Sequence, residues 1–168
     1  MVVAVTAKMT TAELLERCIS WEYEARDLYV RFAQAFAADV STSEMWKQMA
    51  IDESAHGALL ARSLETMSYA RRSEVVGAEL QAMVNGVDRQ LESIRATPVR
   101  TLSDAYDLAH MLESSEINTV FSLALIASPD DEVRKTLLRT QLEDHTDRLN
   151  EFGRTFGRSV RESIIAGA

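Results

Sequence analysis

Trp46, Met49, Glu53, His56, Leu60, Ser63 and Met67 step forward by three and four residues, the repeat of a helix that turns one seam toward a bundle core. A seam of this length constrains the fold more than any other stretch, because other helices must cover it. It also carries an acid and a histidine three residues apart at otherwise apolar positions. Residues so spaced lie nearly one above the other, so Glu53 and His56 present an oxygen and a nitrogen on one inward face. The pair alone is a weak sign of a metal site, since a Glu three residues before a His is common by chance. Its inward direction gives it weight: a polar pair aimed into a core needs a partner.

The remaining chain supplies the covering helices. Only six Gly and two Pro occur in 168 residues that are 46% hydrophobic, a balance that predicts an all-α single domain over 1–168. Thr10 and Glu13 form a capping box, with Met9 and Leu14 as its staple, and open a helix over 11–38. Its seam reads Leu15, Cys18, Glu22, Ala25, Tyr29, Phe32 and Phe36, with Glu22 standing where an apolar residue is expected. Ser41 and Glu44 form a second box, stapled by Val40 and Met45, for an antiparallel helix over 42–68, whose negative end suits Arg71 and Arg72. A third stretch, 74–95, places Val76, Leu80, Met83, Val87, Leu91 and Ile94 on one face with no acid or His among them. It reads as a crossover helix that packs without chemistry.

Thr97-Pro98 breaks that helix, and Thr101 to Asp104 cap the next, over 102–127, with Leu102, Tyr106 or Ala105, Ala109, Glu113, Glu116, Val120, Leu123 and Ala127 inward. Ser128-Pro129-Asp130-Asp131 opens the last helix, 129–156, with a serine cap, a first-turn proline and two acids at the positive end of the dipole. Its seam is Leu138, Leu142, His145, Leu149, Phe152 and Phe156. The expected architecture is a four-helix bundle with one long crossover that contains an additional helix.

Together the seams hold Glu22, Glu53, His56, Glu113, Glu116 and His145, and no Lys or Arg. Four ionised carboxylates facing one another in a core would each cost on the order of several kcal/mol. Two divalent ions would balance them, with two neutral imidazoles completing a nitrogen and oxygen environment suited to iron or manganese, or to zinc as isolated. Taken singly, Glu22 at the seam's edge, Glu116 on the solvent side and His145 as a hydrogen-bonded core histidine are ordinary alternatives. Taken jointly, those alternatives require six coincidences on four seams.

Composition excludes other classes. A net charge of −8 and a pI near 4.9 argue against nucleic-acid or anionic-membrane partners. Cys18 is the only cysteine, so no intramolecular disulfide, Cys-rich zinc site or rubredoxin-like module is expected, and a reducing cytoplasm fits. The start of the chain lacks the features of a signal peptide, and no window approaches transmembrane length.

With these residues in place the chain resembles the rubrerythrin-like members of the ferritin-like di-iron carboxylate proteins. Glu22 with Tyr29 seven residues on is similar to the family's first helix, Glu53 and His56 to the Glu-x-x-His of its second, and Glu113 with Glu116 to the doubled acid of its third. The family's fourth helix repeats Glu-x-x-His. Here His145 is present, but Leu142 stands where the carboxylate that bridges the metals belongs. Glu143 lies about 200° round the helix from the missing position's neighbour His145 and faces solvent in regular geometry, whereas Gln141 is about 40° from the His145 direction and offers a neutral oxygen. His110 is an extra candidate on the flank of its helix.

The resemblance implies two iron ions, reduction of hydrogen peroxide or dioxygen, Glu116 as a mobile ligand exchanging with His56, Tyr29 as a hydrogen-bonding electron source, a separate protein as electron donor, and a homodimer. Two other readings stay open: a metal-binding or iron-handling protein without turnover, favoured by Leu142, and a helical interaction module whose acids are remnants.

Overall fold

The computed structural model describes residues 8–113 and 147–155. Five helices are named in the first segment: α1 (Thr11–Ala35), α2 (Val40–Thr66), α3 (Tyr69–Arg72), α4 (Ala78–Ala96) and α5 (Leu102–Glu113). Residues 147–155 are helical as well, and no strand occurs among the described residues. The architecture is all-α, and no helix of the described residues is long and apolar enough to cross a membrane.

Thr10 caps α1 as its sequence predicts. Its hydroxyl oxygen accepts from Glu13 N at 3.3 Å, while its own amide donates to Glu13 Oε2 at 2.7 Å. The same end is pinned from outside, since Thr11 N donates to Glu74 O at 2.8 Å and Val76 N to Met9 O at 2.9 Å. α1 ends at Ala35, three residues before the expected boundary, where the Phe36 amide closes the last turn.

α2 starts two residues earlier than the Ser41 box implies. Asp39 is the cap instead: one carboxylate oxygen accepts from the Ser41 and Thr42 amides at 3.1 and 3.3 Å, and the two oxygens take the hydroxyls of those residues at 2.9 and 2.8 Å. A carboxylate with two oxygens satisfies more orphan donors than a serine hydroxyl can, so it wins the cap. Val40 is consequently left exposed and is not a staple. The other end of α2 is closed by Arg72, whose guanidinium donates to the carbonyls of Leu64, Glu65 and Met67, as a cation at a helix C-terminus should.

α1 and α2 form an antiparallel hairpin. Ser43 Oγ donates to Ala33 O at 3.0 Å near the turn, and Gly57 meets Tyr23 further along. Between them lies the core: Trp21, Tyr29 and Phe32 from α1 interleave with Trp46, Met49 and Leu60 from α2, all nearly inaccessible to water. Each such side chain contributes about 1.5–3 kcal/mol on burial.

The crossover was expected as one helix over 74–95, and the chain instead makes the short α3, an extended link through Glu74 to Gly77, and then α4. The link is drawn into backbone pairing with the start of α1, which a continuous helix could not provide. α4 buries Val84, Val87, Leu91 and Ile94, and it runs parallel to α1, because Arg17 pairs with Asp88 at 2.7 Å and Glu24 with Arg95 at 3.0 Å. Asp88 also accepts from the buried Trp21 Nε1 at 2.8 Å. Residues 97–101 then lead into α5, capped reciprocally by Thr101 and Asp104. The 147–155 helix rests on α2, with Arg148 paired to Asp52 and Phe152 edge-on to Trp46.

Candidate metal centre

The hairpin brings three of the six sequence-predicted ligands together. Glu22 arrives from α1, Glu53 and His56 from successive turns of α2, and one donor atom of each lies within 4.8 Å of the others. All three are sealed from water, with exposures of 3, 4 and 1%. Imidazole Nδ1 is the nitrogen turned toward the acids, 3.0 Å from Glu53 Oε2 and 3.4 Å from Glu22 Oε2.

Close approach of the two backbones makes this possible. A Cβ at Gly57, the residue after His56, would sit 3.2 and 3.3 Å from the Tyr23 ring and 3.5 Å from Glu22 Cβ. A glycine leaves the Tyr23 ring its present close seat against α2, next to His56. The Arg26 guanidinium stacks on the Tyr23 ring, 4.8 Å from its centroid. Neither Gly57 nor Tyr23 stands out in the sequence as a site residue; a glycine inside a long Gly-poor helix, next to a candidate ligand, is the signal that would have found the first.

Burial pushes the Glu53 carboxyl well above the usual carboxylate range, and the neighbouring Glu22 charge pushes the same way. Burial alone would depress the His56 imidazole, but its bonds to Glu22 and Glu53 prevail and raise it to about 10. Protons therefore hold the metal-free cluster together, a charge role that a cation fills when ligands deprotonate. Two carboxylates and one imidazole in a dry core are a fitting donor set for a divalent first-row metal.

Tyr29 is fully buried on the α1 seam, one face stacked on Trp46 at 5.7 Å, and its hydroxyl donates to Glu113 Oε1 at 2.6 Å. Burial, with the Glu113 charge, pushes its phenol well above the usual value, so it stays protonated and is a donor to that carboxylate. Glu113 is half-buried at the end of α5 and is turned to Tyr29, outside the close trio. His110 is exposed on the same helix, beside Tyr106 at 6.1 Å between rings, and does not join the trio. Glu116, Gln141, Leu142, Glu143 and His145 lie outside the described residues.

The family model for rubrerythrin matches residues 13–136. The chain belongs to the rubrerythrin family. Membership makes it a relative of di-iron carboxylate proteins, and Glu22, Glu53 and His56 form a carboxylate and histidine cluster that could hold a metal ion. The rubrerythrin match ends before Leu142 and His145, so the stretch that departs from the family pattern lies beyond it. No curated protein and no solved structure matches the chain.

Proposed function

We propose that this rubrerythrin-family protein is a di-iron or di-manganese carboxylate protein that reduces hydrogen peroxide, with electrons delivered by a separate protein. The observation that carries the reading is the water-excluded trio of Glu22, Glu53 and His56, with Tyr29 hydrogen-bonded to Glu113 beside it. Glu22, Glu53 and His56 would hold metal, joined by Glu113, Glu116 and His145. A bound ferrous pair supplies two electrons, the number that peroxide reduction to water consumes. The chain's residues do the rest: the aromatic wall of Tyr29, Trp46 and Phe32 excludes water, and the phenol holds a proton at Oη against Glu113.

The test is oxidation of the ferrous protein. Peroxide should oxidise it faster than dioxygen does, with about two ions per chain lost in Glu53→Ala; equal or negligible rates would refute turnover. One sequence feature favours a second reading, metal handling without turnover: Leu142 replaces the fourth-helix carboxylate. Leu142→Glu should then tighten metal binding, and a fall in affinity would show that the residue does not face the site.

A further inference from the structure

The three clustered donors come from one helical hairpin, and their charges decide how metal enters. A divalent ion set among Glu22, Glu53 and His56 meets two negative charges and a neutral imidazole, so the buried unit is electrically neutral with a single ion. Glu113 differs in each respect. It comes from α5, it is half-buried, and its Oε1 is engaged by the Tyr29 hydroxyl at 2.6 Å. Joining it to the first ion would add a third negative charge to that unit, which a second cation offsets.

Contacts internal to α1 and α2 also brace the hairpin. Its four-residue turn (36–39), the Asp39 cap, the Ser43 bond to Ala33 and the Gly57 contact with Tyr23 all lie within α1 and α2, so few further groups must order when an ion arrives.

We propose that Glu22, Glu53 and His56 of the α1–α2 hairpin take up one divalent ion before any second ion binds, and more tightly than it. The inference rests on reading the trio as a metal centre, and goes beyond it by making the centre's two halves unequal and the one-ion protein a distinct species.

Titration of the full-length, metal-free protein with cobalt(II), followed by visible absorption and by calorimetry, tests this. A first phase should saturate at one ion per chain. Glu113→Gln should leave the affinity of that phase within about threefold, whereas Glu22→Gln and His56→Gln should each weaken it by about 100-fold or more. Circular dichroism confirms that each variant is folded, and Glu53→Gln should weaken the first phase as Glu22→Gln does. Two ions entering in one concerted step, or Glu113→Gln weakening the first phase as much as Glu22→Gln does, would overturn the proposal while leaving a metal centre. No cobalt bound by the unaltered protein would overturn both.

Discussion

At the scale of single residues, Gly57 is as much a part of the centre as the ligands it stands beside. Gly57→Ala adds a methyl group 3.2–3.3 Å from the Tyr23 ring, so the ring, or α1 with it, must give way by a few tenths of an ångström. Alanine also favours the helix by about 1 kcal/mol. Metal affinity should therefore fall by about tenfold while the metal-free protein keeps its thermal stability. Titration beside a melting curve checks both, and unchanged affinity would show that the hairpin spacing is immaterial. The inward direction of these side chains is legible in the sequence because three-residue spacing on an apolar seam fixes it, and Glu22, Glu53 and His56 are buried as that seam implies. Tyr29 was legible as an inward residue, but its bond to Glu113 depends on α5 lying beside α1, which no local pattern encodes.

At the scale of helices, the start of α2 shows how a strong local motif can lose to a better one nearby. Ser41 and Glu44 have the capping-box spacing, yet the Asp39 carboxylate takes the orphan amides. Asp39→Ala should destabilise the protein by about 1 kcal/mol and Ser41→Ala by clearly less, by chemical denaturation; the reverse order would restore Ser41 as the cap. The α1 and α5 caps were readable because each involves residues three apart. The hold on α4 was not, because Asp88 meets Arg17 and Trp21 across about seventy positions of sequence. Asp88→Ala strands the buried indole N–H and removes the ion pair, a loss of about 1–3 kcal/mol, whereas Asp88→Asn should cost less by retaining an acceptor.

For the whole molecule, the centre links stability to pH and to metal. The His56 imidazole titrates near 10 in the folded protein against about 6.5 when unfolded, so its contribution is complete below about 6.5 and is lost as pH rises through 10. The raised Glu53 carboxyl acts in the same direction, favouring the folded state at low pH and less so above the ordinary carboxylate range. Metal-stripped protein should lose melting temperature steadily from neutral pH to pH 10. Metal-loaded protein should lose less, because metal requires the deprotonated ligands and binds better as protons leave. The gap between the two melting curves should widen with pH, and His56→Gln should flatten the metal-free curve above pH 6.5.

The all-α class and the inward faces of α1 and α2 follow from helical periodicity, while the spacing of α1 against α2 follows from contacts that only the folded chain brings together. The account rests on Glu22, Glu53 and His56 holding a metal ion, and anomalous diffraction at the absorption edges of iron, manganese and zinc tests this most directly, using crystals of the protein as isolated. The predicted result is an anomalous peak within coordination distance of Glu22, Glu53 and His56 Nδ1 that is absent in Glu53→Ala. A map with no peak there, after crystals are also soaked in each metal, with His56 still bonded to the two acids, would contradict it.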